Sequence, residues 1–454
     1  MTRVYAAFVG CKVSQADSEA ALAALAAAGH TPVDSRDEAD LCLVLSCCVT
    51  AEAERKSRQL ARRLAGEGRR VVVGGCAAVL RPEQFVSAGI ETLSGREWGG
   101  LAPGEADEEQ GGAGEKQAAA GEKQAAARPA RTVASPTVVR PTAHSASARR
   151  GGRTRLTLKI QDGCDQSCTY CAVRLVRGPL WSRPLAEVLD AARDGLAGGC
   201  GEVVISGVNL GSYSDPESGA GLPELIQRLT ALDELVRLRL SSLEPLHLRP
   251  GLFAALDHAK VARHLHVPLQ SADDGVLAAM GRPYTFAEYG AAIADLRRRL
   301  PGLLLSTDVI VGFPAEDEVA FGRTLAAIGD AAPEALAGPG GRRFGRVHLF
   351  AYSPRPGTAA AALGHLPAEV VRGRMQAALA AASAAAQAAL AFVLGEPAEV
   401  LVEERRDGLW RGYSSSYLRY YLQGEAHAGQ LVRAIATGGH GDGVKGYLVD
   451  GCPE

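Results

Sequence analysis

Apolar runs alternate with helix-like segments through the first hundred residues of the chain. Three strand-like runs, VYAAFVG, LCLVLSC and VVVGG, are separated by helix-like stretches at Gln15–Ala28 and in AEAERKSRQLARRLAG. Strands that alternate with helices pair in parallel, with right-handed crossovers. Residues 1–100 are therefore expected to form an α/β domain built on a βαβ parallel sheet.

Six further strand-like runs recur after Leu156, with helix-like segments between them. The runs are LTLKI, EVVIS, LVRLRLS, RHLHV, LLLSTDVI and RVHLF. Six strand–helix units are too few for a complete eight-stranded barrel. We expect residues 151–390 to form an open, partial (β/α)6 barrel whose active face lies at the carboxyl ends of its strands.

The remaining segments follow other patterns. Short strand-like runs separated by turns, in EPAEVLVEERR, LWRGYSSSYLRYYLQG and QLVRAIATGG, predict a small all-β barrel over residues 395–454. Residues 101–150 are rich in Gly, Ala, Glu, Gln, Ser and Pro and contain GEKQAAA twice in succession. A segment with so few core-forming residues is expected to be a disordered linker.

Composition and charge narrow the class of protein. Of 454 residues, 47% are apolar and 22% are charged, and the net charge is −2. This balance is typical of globular proteins, and any nucleic-acid surface must be local. Neither a signal peptide nor a transmembrane stretch is evident, so we expect a cytoplasmic protein without a membrane partner. In that compartment the ten cysteines are more readily metal ligands, catalytic thiols or buried residues than disulfides.

One cysteine follows each of the three N-terminal strands. Cys11, Cys47 and Cys76 would thus meet at one edge of a parallel sheet. Two of them also precede probable helix N-termini, whose dipoles favour thiolates. Three cysteines in equivalent positions favour a shared metal site, although a single cysteine is often only a small buried residue. Cys42 and Cys48 fit that structural interpretation.

A second set of thiols lies in GCDQSCTYCAVR, directly after the first strand of the expected partial barrel. Cys164, Cys168 and Cys171 form the pattern C-x3-C-x2-C. Structural zinc normally takes four protein ligands, and no second C-x2-C or H-x3-H follows nearby. Thiolates also hold iron–sulfur clusters. Three thiolates would leave one iron of a [4Fe–4S] cluster open to a substrate or cosubstrate.

The C-x3-C-x2-C, with an aromatic residue before its last cysteine, resembles that of the radical S-adenosylmethionine (SAM) superfamily. The resemblance implies that the amino and carboxylate groups of SAM chelate the open iron. It also implies that one electron cleaves SAM to methionine and a 5′-deoxyadenosyl radical, which abstracts hydrogen from a C–H bond.

The same resemblance suggests SAM contacts at the carboxyl ends of the strands. Tyr170 would lie near the adenine, Gly207 and Asn209 near the methionine end, and Ser242, with Glu244, near ribose or methionine. The alternatives are a packing aromatic residue and ordinary strand–helix turns. Asp308, in STDV, could likewise serve the active site or cap a helix.

Further stretches resemble the methylthiotransferase family within that superfamily. They are GCKVSQADSEA, VLSCCVTAEAERKSRQ, GGCA, KIQDGCDQSCTYCAVRLVRGPLWSRP, EVVISGVNLGSY, HLHVPLQSADDGVLAAMGRPYT, STDVIVGFPAE and HLFAYSPRPGT. This resemblance implies that Cys11, Cys47 and Cys76 hold a second [4Fe–4S] cluster. It covers most of the chain outside the linker.

The C-terminal segment resembles the TRAM domain, an RNA-binding module. Its candidate cationic and stacking contacts are Arg411, Tyr413, Tyr417, Arg419, Tyr420 and Tyr421. However, residues 396–454 carry six Lys/Arg against nine Asp/Glu, unlike the usual basic RNA module, and the aromatic residues could be core instead. Near the cysteine loop, Arg174, Arg177 and Arg183 could hold tRNA phosphates or be solvated or ion-paired.

The expected reaction is methylthiolation of tRNA. Lys12 and Val13 after the first cysteine, with RKSRQ at 55–59, resemble the branch that modifies C2 of N6-threonylcarbamoyladenosine at position 37. This implies a tRNA anticodon stem-loop, an external electron donor and a sulfur source as partners. Other branches modify isopentenyladenosine in tRNA or a ribosomal-protein aspartate. Two further hypotheses are a radical SAM enzyme whose N-terminal cluster only transfers electrons, and a zinc-stabilised RNA-binding adaptor.

Overall fold

The computed structural model of the chain describes residues 1–86, 89–93, 154–329, 336 and 344–449. A parallel sheet is followed by an open arc of strands with helices and then by a closed β-barrel. This order confirms the expected fold class. The expected linker at residues 101–150 lies outside the described residues.

The N-terminal sheet has five parallel strands in the order β2-β1-β3-β4-β5. Its two edge strands were missed in the sequence, because runs of two or three residues show no alternation. The elements are β1 (Arg3–Phe8), α1 (Lys12–Ala27), β2 (Thr31–Pro32), β3 (Leu41–Ser46), α2 (Ala51–Gly66), β4 (Arg70–Gly75), α3 (Cys76–Leu80) and β5 (Ile90–Thr92).

Helix α2 shows how local sequence sets these boundaries. The Thr50 side chain accepts a hydrogen bond from the backbone N–H of Ala53 at 3.1 Å and so caps the helix. Glu52 and Glu54 lie in the first turn, where the helix dipole favours negative charge. The helix therefore begins directly after the loop that carries Cys47, and this fixes where that loop ends.

The central part is an arc of six parallel strands. β6, β9 and β10 form one sheet and β11, β12 and β13 another, and single bridges at Leu238–Val261 and Ser242–His266 join them. The elements are β6 (Arg155–Lys159), β7 (Gln161–Asp162), α4 (Val173–Arg177), β8 (Trp181–Ser182), α5 (Leu185–Ala197), β9 (Glu202–Ser206), α6 (Leu222–Thr230), β10 (Arg237–Leu240), α7 (Pro250–Leu256), β11 (His264–His266), α8 (Asp274–Ala279), α9 (Phe286–Arg299), β12 (Leu304–Val311), α10 (Glu318–Ile328), β13 (Phe344–Ala351) and α11 (Ala368–Ala391).

The two faces of the arc differ in character. On β12, Val309 and Val311 belong to the large apolar core under the helices. Successive side chains of a strand point to opposite faces, so Ser306, Asp308 and Ile310 face the other side. We call that side, with the residues in register on β11 and β13, the lumen. Its polar residues are the first indication that the lumen is functional.

The C-terminal part is a closed five-stranded barrel in the order β14-β15-β16-β18-β17. Its strands are β14 (Pro397–Arg406), β15 (Leu409–Ser414), β16 (Arg419–Gln423), β17 (Leu431–His440) and β18 (Gly443–Leu448). The barrel contacts β10 of the arc, where Arg237 donates to the Tyr413 carbonyl at 3.0 Å and Arg239 to the Ser414 carbonyl at 3.1 Å. Among the described helices, none has the length and apolar character to cross a bilayer.

Candidate active site

The C-x3-C-x2-C lies in a loop between β7 and α4, at the carboxyl end of β6. Gly163 opens the loop with φ of +71°, and a Cβ there would lie 1.8 Å from the Pro179 carbonyl oxygen. Only glycine fits this position, because the left-handed backbone and the close approach both exclude a side chain. Farther along the loop, the Thr169 hydroxyl donates to the Ala279 carbonyl at 2.8 Å. The loop is thus held against α8.

Hydrogen-bond donors approach two of the three sulfurs. The backbone N–H of Val173 lies 3.4 Å from Cys171 Sγ, and Arg282 Nη1 lies 3.4 Å from Cys168 Sγ. Burial raises the pKa of Cys171 to about 12 and also raises the pKa of Cys164. Thiolates bind metals, so loading this site would release protons, and the donors would then stabilise the bound sulfurs. The donor set fits a thiolate-held cluster.

Arg282 is a site residue that sequence reasoning missed, although it lies in the quoted stretch MGRPYT. Its guanidinium pairs with Glu244, and its Nε donates to the Tyr284 hydroxyl at 3.1 Å. Only 2% of its side chain is exposed. Arg282 therefore ties Glu244, a candidate SAM contact, to the sulfur of Cys168.

Gln161 fixes the turn that carries Gly207 and Asn209. Its Oε1 accepts the backbone N–H of Asn209 at 2.7 Å, while its Nε2 donates to the Gly163 carbonyl at 2.9 Å. A Cβ on Gly207 would lie 3.0 Å from the Gln161 side chain. The Asn209 Oδ1 lies 3.2 Å from Nε2 of His247. One buried amide thus joins the cysteine loop to the turn after β9.

The other candidate SAM contacts lie at the same end of the strands. Tyr170 is half-buried, and its ring meets that of Phe313 edge-on at 6.5 Å. Ser242 follows β10 and bridges to His266. Asp308 lies within β12 and caps no helix, which excludes the helix-capping interpretation.

The N-terminal cysteines come together as expected. Cys11 follows β1, Cys47 follows β3 and Cys76 begins α3 directly after β4, so all three lie at the carboxyl ends of adjacent parallel strands. Gly10 has φ of +134°, and a Cβ there would lie 3.0 Å from Cys47 Sγ. Burial raises the pKa of Cys47 to about 12, and the charges of Cys11 and Cys76 add to the effect.

Cys48 has a more specific place than a packing role. The proximity of its thiol is the first cause that lowers the pKa of the Cys76 thiol. The positive charge of Arg177 lowers that pKa further. Cys48 itself is buried among apolar side chains. The structure therefore places Cys48 next to the N-terminal set of cysteines.

A buried ion network joins the two cysteine sets. Arg177, from α4 after the C-x3-C-x2-C, donates to Asp17 at 2.8 Å and to Asp162 at 3.1 Å. Its Nε lies 3.2 Å from Cys76 Sγ. Lys159 pairs with the same two carboxylates, at 2.9 Å to Asp162. Asp17 lies in α1 and Asp162 in β7, so the network fixes the N-terminal sheet against the arc.

Of the two interpretations given for the three arginines, the ion-paired one applies to two of them, so the expected contact of these two with tRNA phosphates is wrong. Arg177 is buried in the ion network, and Arg183 is 3% exposed and pairs with Glu187 at 3.3 Å. Their charges are thus neutralised within the protein. Arg174 is exposed and remains available.

Some of the candidate RNA-contacting aromatic residues of the C-terminal barrel are likewise occupied within the protein. Tyr420 is fully buried in the barrel core, as the core alternative had it. The Tyr417 ring packs at a tilt against His264 of the arc, with centroids 5.0 Å apart, and lies under Arg239 and Lys12. Tyr421 is 8% exposed and donates to Asp442 at 2.6 Å. Tyr417 and Tyr420 are thus unavailable for stacking on RNA bases.

The remaining candidates in the barrel also have partners. Arg419 donates to the Tyr413 hydroxyl at 2.9 Å, and Arg411 to Asp407 at 3.0 Å. The Tyr413 ring also lies 4.6 Å from the guanidinium of Arg155 in β6. Half-buried Tyr413 therefore helps to dock the barrel on the arc.

The lumen holds a group of side chains of which the sequence indicated only Asp308. His266, Asp308 and His348 have ligand-type atoms within 4.8 Å of one another, the only such trio among the described residues. His266 Nε2 lies 3.1 Å from Asp308 Oδ2, and its Nδ1 lies 2.9 Å from Ser306 Oγ. The HLHV and VHLF patterns contain these histidines, but only the strand register shows that they meet.

Comparisons with known families match both halves of this site. Residues 158–328 match the Radical SAM superfamily, and residues 3–93 match the uncharacterized protein family UPF0004. The first match contains the C-x3-C-x2-C, and the second contains the three N-terminal cysteines.

Curated relatives span most of the chain. A threonylcarbamoyladenosine tRNA methylthiotransferase of Thermotoga maritima is 30% identical over 92% of this chain and 89% of its own length. A tRNA-2-methylthio-N(6)-dimethylallyladenosine synthase of Desulfosudis oleivorans is 32% identical over 78% of this chain and 73% of its own. A probable threonylcarbamoyladenosine tRNA methylthiotransferase of Pyrococcus horikoshii is 31% identical over 82% of each.

Among solved structures, a radical S-adenosylmethionine methyltransferase, TsrM, from Kitasatospora setae superimposes with a TM-score of 0.50. The two share 18% identity, and the match covers 80% of this chain and 74% of that one. At this identity the likeness concerns the fold alone.

Proposed function

This chain belongs to the radical SAM methylthiotransferase family, and we propose that it methylthiolates C2 of N6-threonylcarbamoyladenosine at position 37 of tRNA. Whichever nucleoside it modifies, the protein is a radical SAM methylthiotransferase that acts on tRNA. Such an enzyme uses SAM and two [4Fe–4S] clusters. The zinc-stabilised adaptor is therefore set aside.

We assign the two clusters to the two cysteine sets. Cys164, Cys168 and Cys171 would hold the cluster that cleaves SAM, and the set of Cys11, Cys47 and Cys76 would hold the other. The clusters and SAM supply the electron, the hydrogen-abstracting radical and the sulfur of the reaction. The observation that carries the proposal is the Arg177 network, because it joins the two cysteine sets.

The residues of the chain act by holding these groups in place. Arg282 fixes Cys168 and Glu244 relative to each other. Gln161 holds the turn at Gly207 and Asn209, which we assign to SAM together with Tyr170 and Ser242. Buried, preorganised donors of this kind need no rearrangement during reaction and keep water away from a reactive radical.

The tRNA partner is proposed to bind through its anticodon stem-loop, because the modified base lies there. Arg174 is exposed beside the cysteine loop and would contribute a salt-dependent phosphate contact. An external electron donor and a sulfur source complete the set of partners, and the reaction is placed in the cytoplasm. We further assign residues 1–100, 151–390 and 395–454 to methylthiotransferase, radical SAM and TRAM-like domains.

The branch assignment has one specific competitor. The Desulfosudis oleivorans relative is named for dimethylallyladenosine, which is the isopentenyladenosine branch. The motifs after Cys11, together with the relatives of Thermotoga maritima and Pyrococcus horikoshii, support the threonylcarbamoyl branch.

Nucleoside mass spectrometry tests this proposal. Transfer RNA from cells with and without the protein should differ in 2-methylthio-N6-threonylcarbamoyladenosine. If 2-methylthio-isopentenyladenosine disappears instead, or if mass spectrometry of the ribosomal proteins shows that the modified aspartate is lost, the branch is wrong and the reaction class stands. If none of the three marks changes, the proposal fails.

A further inference from the structure

The lumen group lies on three neighbouring strands in one register. Asp308 of β12 is paired with His348 of β13, and His266 of β11 is paired with Ser306. The carboxylate of Asp308 lies 3.1 Å from His266 Nε2, and the rings of His266 and His348 are 5.5 Å apart. The side chains of His266 and Asp308 are 15% and 27% exposed. They are therefore open to the lumen rather than sealed in a core.

The group lies one step below the cysteine loop. Ile310 and Phe350, two residues beyond Asp308 and His348 on the same strands, point to the same face. Both belong to the apolar cluster that also contains Tyr170 of the cysteine loop. A base held under Tyr170 would thus have Asp308 and His348 within reach of its substituents.

Beside the carboxylate of Asp308, the lumen carries one cationic side chain. Arg346 lies two residues before His348 on the same face of β13 and is exposed. It forms no ion pair with any residue that the structure describes. Burial lowers the pKa of His348 to about 4, so at neutral pH its imidazole is uncharged and can both donate and accept.

We propose that Arg346, His348 and Asp308 recognise the N6 substituent of the target adenosine. Arg346 binds the substituent's carboxylate, and the two lumen residues hydrogen-bond its hydroxyl and ureido groups. The proposal rests on the threonylcarbamoyl assignment above and adds the residues that determine specificity. A dimethylallyl group has no polar atoms, so it would leave these side chains unpaired, and such sites discriminate strongly.

The test uses the reconstituted enzyme and three anticodon stem-loop RNAs. Position 37 carries threonylcarbamoyladenosine, isopentenyladenosine or unmodified adenosine. The measured quantities are kcat/KM for methylthiolation and the Kd of each RNA. We expect wild type to prefer the first RNA. Arg346→Gln should lower its kcat/KM on that RNA about 10- to 100-fold, because a charged hydrogen bond is lost, and should bring the three Kd values together.

Two substitutions of His348 separate recognition from packing. His348→Asn keeps a hydrogen-bonding amide but loses ring volume, whereas His348→Phe keeps the ring and loses polarity. Recognition predicts greater loss of preference in the Phe variant, and packing predicts the reverse. Arg193→Gln on α5, which removes an exposed arginine paired with Asp190, is the matched surface control.

The outcomes distinguish this inference from the proposed function. If wild type modifies only the isopentenyl RNA, both fail. If wild type prefers the threonylcarbamoyl RNA and both Arg346→Gln and His348→Phe keep that preference within about twofold, only the recognition proposal is overturned. A stoichiometric divalent ion, beyond cluster iron, that is lost in Asp308→Asn would also overturn it, because the trio would then be a metal site.

Discussion

Arg177 donates from Nε to the sulfur of Cys76 at 3.2 Å, although Cys76 begins α3 of the N-terminal part and Arg177 ends α4 of the central part. The same guanidinium pairs with Asp17 of α1 and Asp162 of β7. Arg177, which follows the C-x3-C-x2-C in the chain, thus contacts a cysteine of the N-terminal set. Hydrogen bonds to sulfur tune iron–sulfur clusters and orient their ligands, so the contact couples the two proposed clusters through the protein.

Arg177→Gln is expected to destabilise the junction between the sheet and the arc. Removing one partner of a buried ion network leaves uncompensated charge and costs about 3–5 kcal/mol of the free energy of unfolding. The reconstituted variant should also bind less iron. Thermal unfolding and iron analysis measure both effects, with Arg174→Gln on the same helix as the exposed control. Equal stability of the two variants would contradict the role assigned to the network.

Replacing Cys168 with Ala is expected to abolish 5′-deoxyadenosine formation in the reduced, reconstituted protein. The same holds for Cys164 and Cys171, because each supplies one of three thiolates to the proposed site. Iron should fall from about eight to about four per chain. Cys200→Ala, outside both sets, should behave as wild type. If the variant with all three cysteines replaced by Ala still cleaves SAM, these cysteines do not hold the SAM-cleaving cluster.

The N-terminal set should behave differently. The triple variant Cys11→Ala, Cys47→Ala and Cys76→Ala is expected to lose about half the iron and still cleave SAM, but to insert no sulfur. Full iron content in that variant would count against a second cluster.

The adjacent pair of cysteines gives a sharper version of that experiment. Cys48→Ala should keep the iron, because Cys47 and not Cys48 directly follows β3. Cys47→Ala should lose iron. The opposite result would move the ligand by one residue along the chain.

Features that depend on local sequence patterns could be predicted, whereas features that depend on contacts between distant residues could not. Strand alternation and the positions of Cys11 and Cys164 after strands are local patterns, so they placed both cysteine sets correctly. The burial of Arg177 is not local, because its partner Asp17 lies 160 positions away. The sequence around an arginine beside a cysteine motif does not show whether the side chain faces RNA or an internal carboxylate. The proximity of His266, Asp308 and His348 could not be predicted either, because it depends on the register between β12 and β13.

The C-terminal barrel supplies the last prediction, through Tyr417. Its ring packs at a tilt against His264, with centroids 5.0 Å apart, and lies 4.3 Å from the guanidinium of Arg239 and 4.7 Å from the ammonium of Lys12. Tyr417 is half-buried, and Tyr417→Ala should therefore destabilise the docked barrel by about 1–3 kcal/mol.

Tyr447→Ala, at a side chain that is 46% exposed, is the matched control and should stay within about 0.5 kcal/mol of wild type. Thermal unfolding of both variants and their affinity for an anticodon stem-loop discriminate the roles. If Tyr417 docks the barrel, its substitution lowers the stability at any RNA concentration, because the lost contacts are with the arc. If Tyr417→Ala instead unfolds like wild type and loses only RNA affinity, the ring is an RNA contact after all, and the barrel must undock from His264 to present it.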